Sequence, residues 1–312
     1  MVDERPLHLR AVLQALLVTF LWSTSWVLIK IGLRDIPALP FAGLRYALAF
    51  LVLLPFAARG GLIGSLGRLT LGGWLRLVAL GLLFYAATQG AQFLSLVYLP
   101  AATVSLLLSF TTALVALLGI LFLGERLSTL QWAGMGLYLV GVLVYFWPLT
   151  VPRAEVIGLL VALAGVIANA LSSILGRYVN RSGDLEPLAV TIVSMGIGAG
   201  VLLAGGTAAQ GLPRLTGMHW GIIVWLAVVN SAFAFTLWNR TLRTLSAVES
   251  SIINNTMLFQ IAILAWLFLG EGLSMRQIVG MALAAVGTLA VQVWRASPGR
   301  VQIRGREEGD ET

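Results

Sequence analysis

The chain has no cysteine, only two histidines among its 312 residues, and charge on only 11% of its side chains. The missing thiols exclude disulfides, thiolate nucleophiles and cysteine-based metal sites. His8 and His219 stand at the edges of apolar runs. No HExxH, GxSxG or glycine-rich phosphate loop is present, so the clustered groups that an enzyme in the bilayer would need are lacking. No cofactor and no metal are expected. A soluble domain is about 25% charged. Here 59% of residues are hydrophobic and mean hydropathy is +0.93, so hydrocarbon rather than water surrounds most of the chain.

What is present is a series of apolar runs of the length that crosses about 30 Å of hydrocarbon. They lie near Ala11 to Ile31, Leu39 to Ala58, Leu77 to Leu99, Ala101 to Leu123, Thr129 to Trp147, Val156 to Leu175, Pro187 to Ala204, Trp220 to Asn239, Ser250 to Leu269 and Gln277 to Val293. The segment before the first run is short and charged with no small-residue cleavage site after it, so the run reads as a retained helix. With the N-terminus inside, 14 of the 20 basic residues fall in inner segments and five in outer ones. That excess places both termini in the cytoplasm and makes the net charge of +7 a mark of topology, with no nucleic acid implied. Residues 295–312 read as a disordered cytoplasmic tail.

FLGERLSTLQWAGMGLYLVGVLV, from Phe122 to Val144, aligns without gaps on the segment from Phe268 at an offset of 146, with 13 of 23 positions identical. Apolar helices share Leu and Val by chance, but not an aligned Gly-Glu, Leu-Ser, Gln and Gly-Met series. Two halves of common origin follow, 1–147 and 148–294. Five spans per half is an odd number, so the second half must enter inverted, related to the first by a rotation of about 180° in the membrane plane. The fold class is therefore an all-α membrane protein of ten transmembrane helices in two inverted five-helix repeats. A site between the repeats near the midplane belongs to that architecture.

The duplicated Leu-Gly-Glu, FLWSTSWVLIKIGL in the first span and FAGLRYALAF in the second resemble the EamA-type transporters of the drug/metabolite transporter superfamily, over almost the entire chain. Within the family the chain looks most like the YddG aromatic amino-acid exporters. The resemblance implies a ten-helix bundle exporting amino acids or other small metabolites. Many members carry a proline 13 residues before each Gly-Glu glutamate; Thr112 and Leu258 stand there instead, without the residue that would supply a helix break. Arg45 maps onto Thr191 at the repeat offset, so the halves differ chemically.

Polar side chains are costly in hydrocarbon and face the bundle interior, a partner or a cavity, which makes them the guide to the substrate-binding residues. Tyr85, Gln89 and Gln92 share one face of the third span at i, i+4 and i+7. In the ninth, Ser250, Ser251, Asn254 and Asn255 are offered to the repeat interface, with Ser251 and Asn255 mapping onto Ser105 and Ser109 of the fourth. Trp22 and Ser25, Asn169, and Asn230 and Trp238 form a third group. Each reads either as lining for a zwitterion or planar substrate, or as interhelical packing and interfacial belt. Arg45 reads as a ligand for a substrate carboxylate or as a partner of carbonyls and helix ends. Glu125 and Glu271 read as turn and capping residues, and Gly134, Gly141, Gly280 and Gly287 as close-packing faces.

The expected partners are a small-molecule substrate, an amino acid or similar metabolite, and the lipid bilayer; no obligatory protein partner is evident. The expected activity is export of aromatic and other neutral amino acids across the bacterial inner membrane by alternating access. Purines, toxic analogues and drugs are the other substrates considered, and an enzyme or a channel the other classes. No acid or histidine stands mid-span. Glu249 opens the ninth span with Arg240 or Arg243 as its expected partner, so a facilitator is favoured over a proton-coupled antiporter.

Overall fold

The computed structural model describes residues 5–59, 67, 69–123, 128–148, 152–182, 186–242, 244–245 and 247–295. Glu125, Arg243 and the tail from residue 296 onward lie outside them, as does the side chain of Ser251. The described residues form ten helices long and apolar enough to cross a membrane. They are α1 (Arg5–Gly32), α2 (Ala38–Arg59), α3 (Leu71–Tyr98), α4 (Ala101–Ser109, then Thr111–Leu123), α5 (Thr129–Phe146), α6 (Arg153–Ser182) and α7 (Pro187–Gln210). The last three are α8 (Gly217–Trp225, Leu226–Phe233 and Ala234–Thr241 end to end), α9 (Ala247–Asn255, then Met257–Leu269) and α10 (Met275–Arg295).

The repeat is visible in how the helices start. Ser128 and Gln131 form a capping box before α5, the Gln131 amide donating to Ser128 Oγ at 3.3 Å and the Ser128 amide to Gln131 Oε1 at 2.9 Å. Ser274 and Gln277 repeat it before α10 with distances of 3.3 and 2.9 Å. Two of the identities between the halves are thus explained by the orphan amides of a helix N-terminus.

Two inverted five-helix repeats pack around each other. α5 runs along α10 and α2 along α7, each pairing equivalent helices. α3 lies on α6 and α7 while α8 lies on α1 and α2; α1 touches α9 as α6 touches α4. Exchanging the halves turns this contact set into itself.

The backbones of α5 and α10 approach closely and reciprocally. A Cβ at Gly141 would stand 2.5 Å from the Ala284 amide nitrogen, and one at Gly280 would stand 2.7 Å from the Gly141 carbonyl oxygen. Gly134 and Gly287 meet in the same reciprocal way. Lipid tails are as apolar as leucine, so close backbone contact rather than the hydrophobic effect holds such helices together.

Candidate functional site

The interior is organised by backbone irregularities that occur in equivalent places. α3 is π-helical over Gly81–Gln89 and α8 over Leu226–Phe233. In each a hydroxyl captures the carbonyl five residues back: Thr88 Oγ1 donates to Leu83 O at 2.8 Å and Ser231 Oγ to Leu226 O at 3.0 Å. Segments of this kind concentrate at functional sites. α4 is interrupted at Phe110 and α9 at Thr256, positions 146 apart. No proline causes these breaks. Ser109 Oγ and Tyr138 OH both donate to Leu106 O at 2.7 Å, and Thr256 Oγ1 donates to Ile253 O at 2.6 Å. Asn255 Nδ2 reaches Ala285 O on α10 at 2.8 Å. Side-chain capture of backbone groups makes a break affordable where no water can.

α2 lies between the two π segments. Tyr46 OH donates to Gln89 Oε1 at 2.6 Å, and its ring meets Tyr85 edge-on at 5.4 Å between centroids. The neighbouring Arg45, 5% exposed, donates from Nε to Ser231 Oγ at 3.3 Å and stands 5.1 Å from the Tyr46 ring centroid. Among the described residues no carboxylate forms an ion pair with it. A lone arginine at depth costs about 3 kcal/mol on an insertion scale, so it marks function or a built partner.

α1 is tied to the second half twice. Trp22 Nε1 donates to Asn230 O at 3.1 Å, while Asn230 Nδ2 donates back to Leu21 O. The Trp22 ring lies 5.2 Å from Phe235 and 5.3 Å from Trp238. At the next residue of α1, Ser23 Oγ donates to Gln260 Oε1 at 2.9 Å, and Gln260 Nε2 donates to Thr256 Oγ1 at the α9 break at 3.0 Å. The equivalent seam between α6 and α4 is held by Asn169 Nδ2 donating to Thr111 Oγ1 at 3.2 Å.

At the end of the bundle away from the chain's N-terminus, Gly270 (φ 71°) closes α9 in the left-handed conformation. The next residue, Glu271, is thereby turned onto the other half. Its Oε2 accepts the Ala101 amide at 2.7 Å, capping α4, and its Oε1 stands 3.3 Å from Lys30 Nζ. Both charges suit their places, since a carboxylate is stabilised by a helix N-terminus. Lys30 and Glu271 line a cavity of about 390 Å³ with Arg34, Leu96 and Leu269. At the opposite end Glu249 Oε1 meets His8 Nε2 at 2.7 Å.

This ten-helix arrangement resembles that of a solved protein whose title reads "Crystal structure of protein", with a TM-score of 0.65, 21% identity, and coverage of 91% of this chain and 98% of that one. The sequence matches the EamA-like transporter family over residues 9–147 and 156–292. The chain belongs to that family. This EamA-like transporter is 31% identical over 180 residues to the "Probable amino-acid metabolite efflux pump" of Escherichia coli (strain K12), a match spanning 57% of each chain. A protein of the same name from Salmonella typhimurium is 32% identical over 54% of this chain and 52% of its own. The alignments thus span little more than half the length of these curated relatives. The "Uncharacterized transporter YoaV" of Bacillus subtilis is 23% identical, but over 86% of this chain and 92% of its own.

Of the residues singled out from sequence, this EamA-like transporter brings Trp22, Asn230 and Trp238 together, and Tyr85 and Gln89 around Tyr46. Gln92 is half-buried beyond the π segment, whose wider turns put it out of the register that a regular helix gives. Ser25 and Ser105 are buried and donate within their own helices, to Trp22 O at 2.6 Å and Ala102 O at 2.9 Å. Ser109 and Asn255 serve the helix breaks, Asn169 ties α6 to α4, and Asn254 is exposed. Glu249 meets His8 on α1, a contact its sequence neighbours did not suggest. Sequence reasoning missed Tyr46, Thr111, Ser231, Phe235 and Gln260. Gln260 had a signal, an amide in an otherwise apolar run; the others are ordinary residues whose partners are set by the fold.

Proposed function

We propose that this chain exports small metabolites, foremost aromatic and other neutral amino acids, from the cytoplasm by alternating access. The observation that carries the reading is the placing of helix breaks and π segments at equivalent positions of two inverted repeats. Such a chain has two nearly equivalent packings, one open to each side. The names of the E. coli and Salmonella relatives support amino-acid metabolites as the cargo class. The aromatic group of Trp22, Phe235 and Trp238 beside buried amides suits a planar, hydrogen-bonding solute.

The basic residues at the end carrying both termini support a cytoplasmic orientation in the bacterial inner membrane. In that orientation Glu271, Lys30 and the start of α4 close the outer side. The membrane-embedded polar groups described above include no acid, which supports a facilitator running down the substrate's own gradient. The test is uptake and counterflow of a panel of labelled amino acids in proteoliposomes, with and without an imposed pH gradient. Saturable counterflow without concentrative uptake is expected. Non-saturating flux would make the protein a channel, and accumulation that collapses with a protonophore would make it proton-coupled.

A further inference from the structure

We propose that Arg45 is the anion-binding residue of the transport route, receiving the carboxylate of the substrate. The proposal rests on the carrier reading above and narrows it to solutes bearing a carboxylate.

Three observations carry it. A guanidinium has five N–H donors, and Arg45, 5% exposed, spends one of them, Nε to Ser231 Oγ at 3.3 Å. No carboxylate among the described residues balances its charge. Its terminal nitrogens also do not count among the fully enclosed polar atoms without a partner, which are Asn230 Oδ1 and Gln292 Oε1 among the described residues. The unpaired donors therefore border open space.

The setting is that of a built site. Ser231 belongs to the π segment of α8, and Tyr46, the next residue on α2, is bonded at 2.6 Å to Gln89 at the end of the π segment of α3. Arg45 thus stands where the two irregular segments meet one helix, and a change in either moves its neighbours. The Tyr46 ring at 5.1 Å and the hydroxyl of Ser231 hold the guanidinium so that its terminal fork is presented in a fixed plane. A planar fork with paired parallel donors fits a carboxylate, a match lysine cannot make. Thr191 stands at the equivalent place in the second half, so the near-symmetric bundle holds one such anion site and not two.

The test is calorimetric binding to the detergent-solubilised full chain of phenylalanine, leucine, phenylacetate and phenylalaninamide, which keeps the ammonium and ring but replaces the carboxylate by a neutral amide. Wild type should bind phenylalanine about tenfold or more tighter than the amide. Arg45→Gln should erase that preference while leaving amide binding unchanged, with folding checked by a melting curve. Arg45→Lys should recover only part of the preference. Should Arg45→Gln not fold, Ser231→Ala, which frees Nε, should weaken carboxylate binding severalfold and spare the amide. If wild type binds phenylacetate but neither amino acid, amino-acid export falls and the anion site stands. If the amide binds as tightly as the acid, if no carboxylate binds, or if Arg45→Gln weakens acid and amide alike, Arg45 is a packing strut and the proposal is overturned.

Discussion

The two halves use the same backbone and different side chains. Each has a capping box before its last helix, a π segment in its third and a break in its fourth. Yet where the first half has Arg45 the second has Thr191, and where the second has Gln260 the first has Leu114. The seam of α1 and α9 is a chain of hydroxyls around one glutamine, whereas that of α6 and α4 is a single amide on a threonine. On the proposed alternating-access reading, the shared part is what two interchangeable packings require. The unshared part is free to fit a cargo that has no two-fold symmetry of its own.

The largest effect should come from attacking what the halves share. Gly141→Leu or Gly280→Leu drives a side chain into backbone less than 3 Å away and should cost about 3 kcal/mol or more, read as loss of a cooperative melt in detergent. Gly136→Leu, at an exposed position with nothing within 4 Å of its Cβ, is the matched control and should cost far less. Equal damage from all three would break the claim that the α5 and α10 contact is a packing surface the halves share.

Glu271→Ala should come next. It removes the α4 cap and the Lys30 partner together, about 1–2 kcal/mol by the usual worth of a cap. Because the chain has no cysteine, a single cysteine at Leu96 in the adjoining cavity reports opening without background. Its labelling should rise in the Glu271→Ala variant; unchanged labelling would remove Glu271 from the closure.

Gln260→Leu gives the second half the residue of the first and should lower stability by about 1 kcal/mol, since it leaves Ser23 and Thr256 without that partner. Ser128→Ala and Ser274→Ala should each cost about 1 kcal/mol or less, similar in the two halves and additive when combined. A large disparity between those two would mean that even the shared backbone devices are not equivalent.

The ten spans and the duplication were legible in the sequence because hydropathy and a gapless repeat are properties of the chain itself. Span ends were less so: α3 starts at Leu71, six residues before its apolar run, because Thr70 Oγ1 accepts the Gly73 amide and caps it there. The breaks at Phe110 and Thr256 were hidden, since proline announces itself and a serine or threonine turning onto its own backbone does not. The face drawn through Tyr85, Gln89 and Gln92 assumed a regular helix and lost its last member to the π segment. Arg45 could be picked out as an oddity, but its pairing with a serine 186 residues away exists only in the folded bundle.

Alternation between equivalent packings is tested most directly by distances between spin labels at the two ends, on cysteines introduced into a chain that has none. One pair, Val97→Cys with Gly272→Cys, spans the end held by Glu271. The other, Thr244→Cys with Ser128→Cys, stands at the other end, one and two residues past the repeat-equivalent positions in the opposite half. Measured in lipid while phenylalanine is varied, the short-distance population of one pair should rise as that of the other falls. Both pairs lengthening together would describe a channel, and neither responding to a transported substrate would contradict the account.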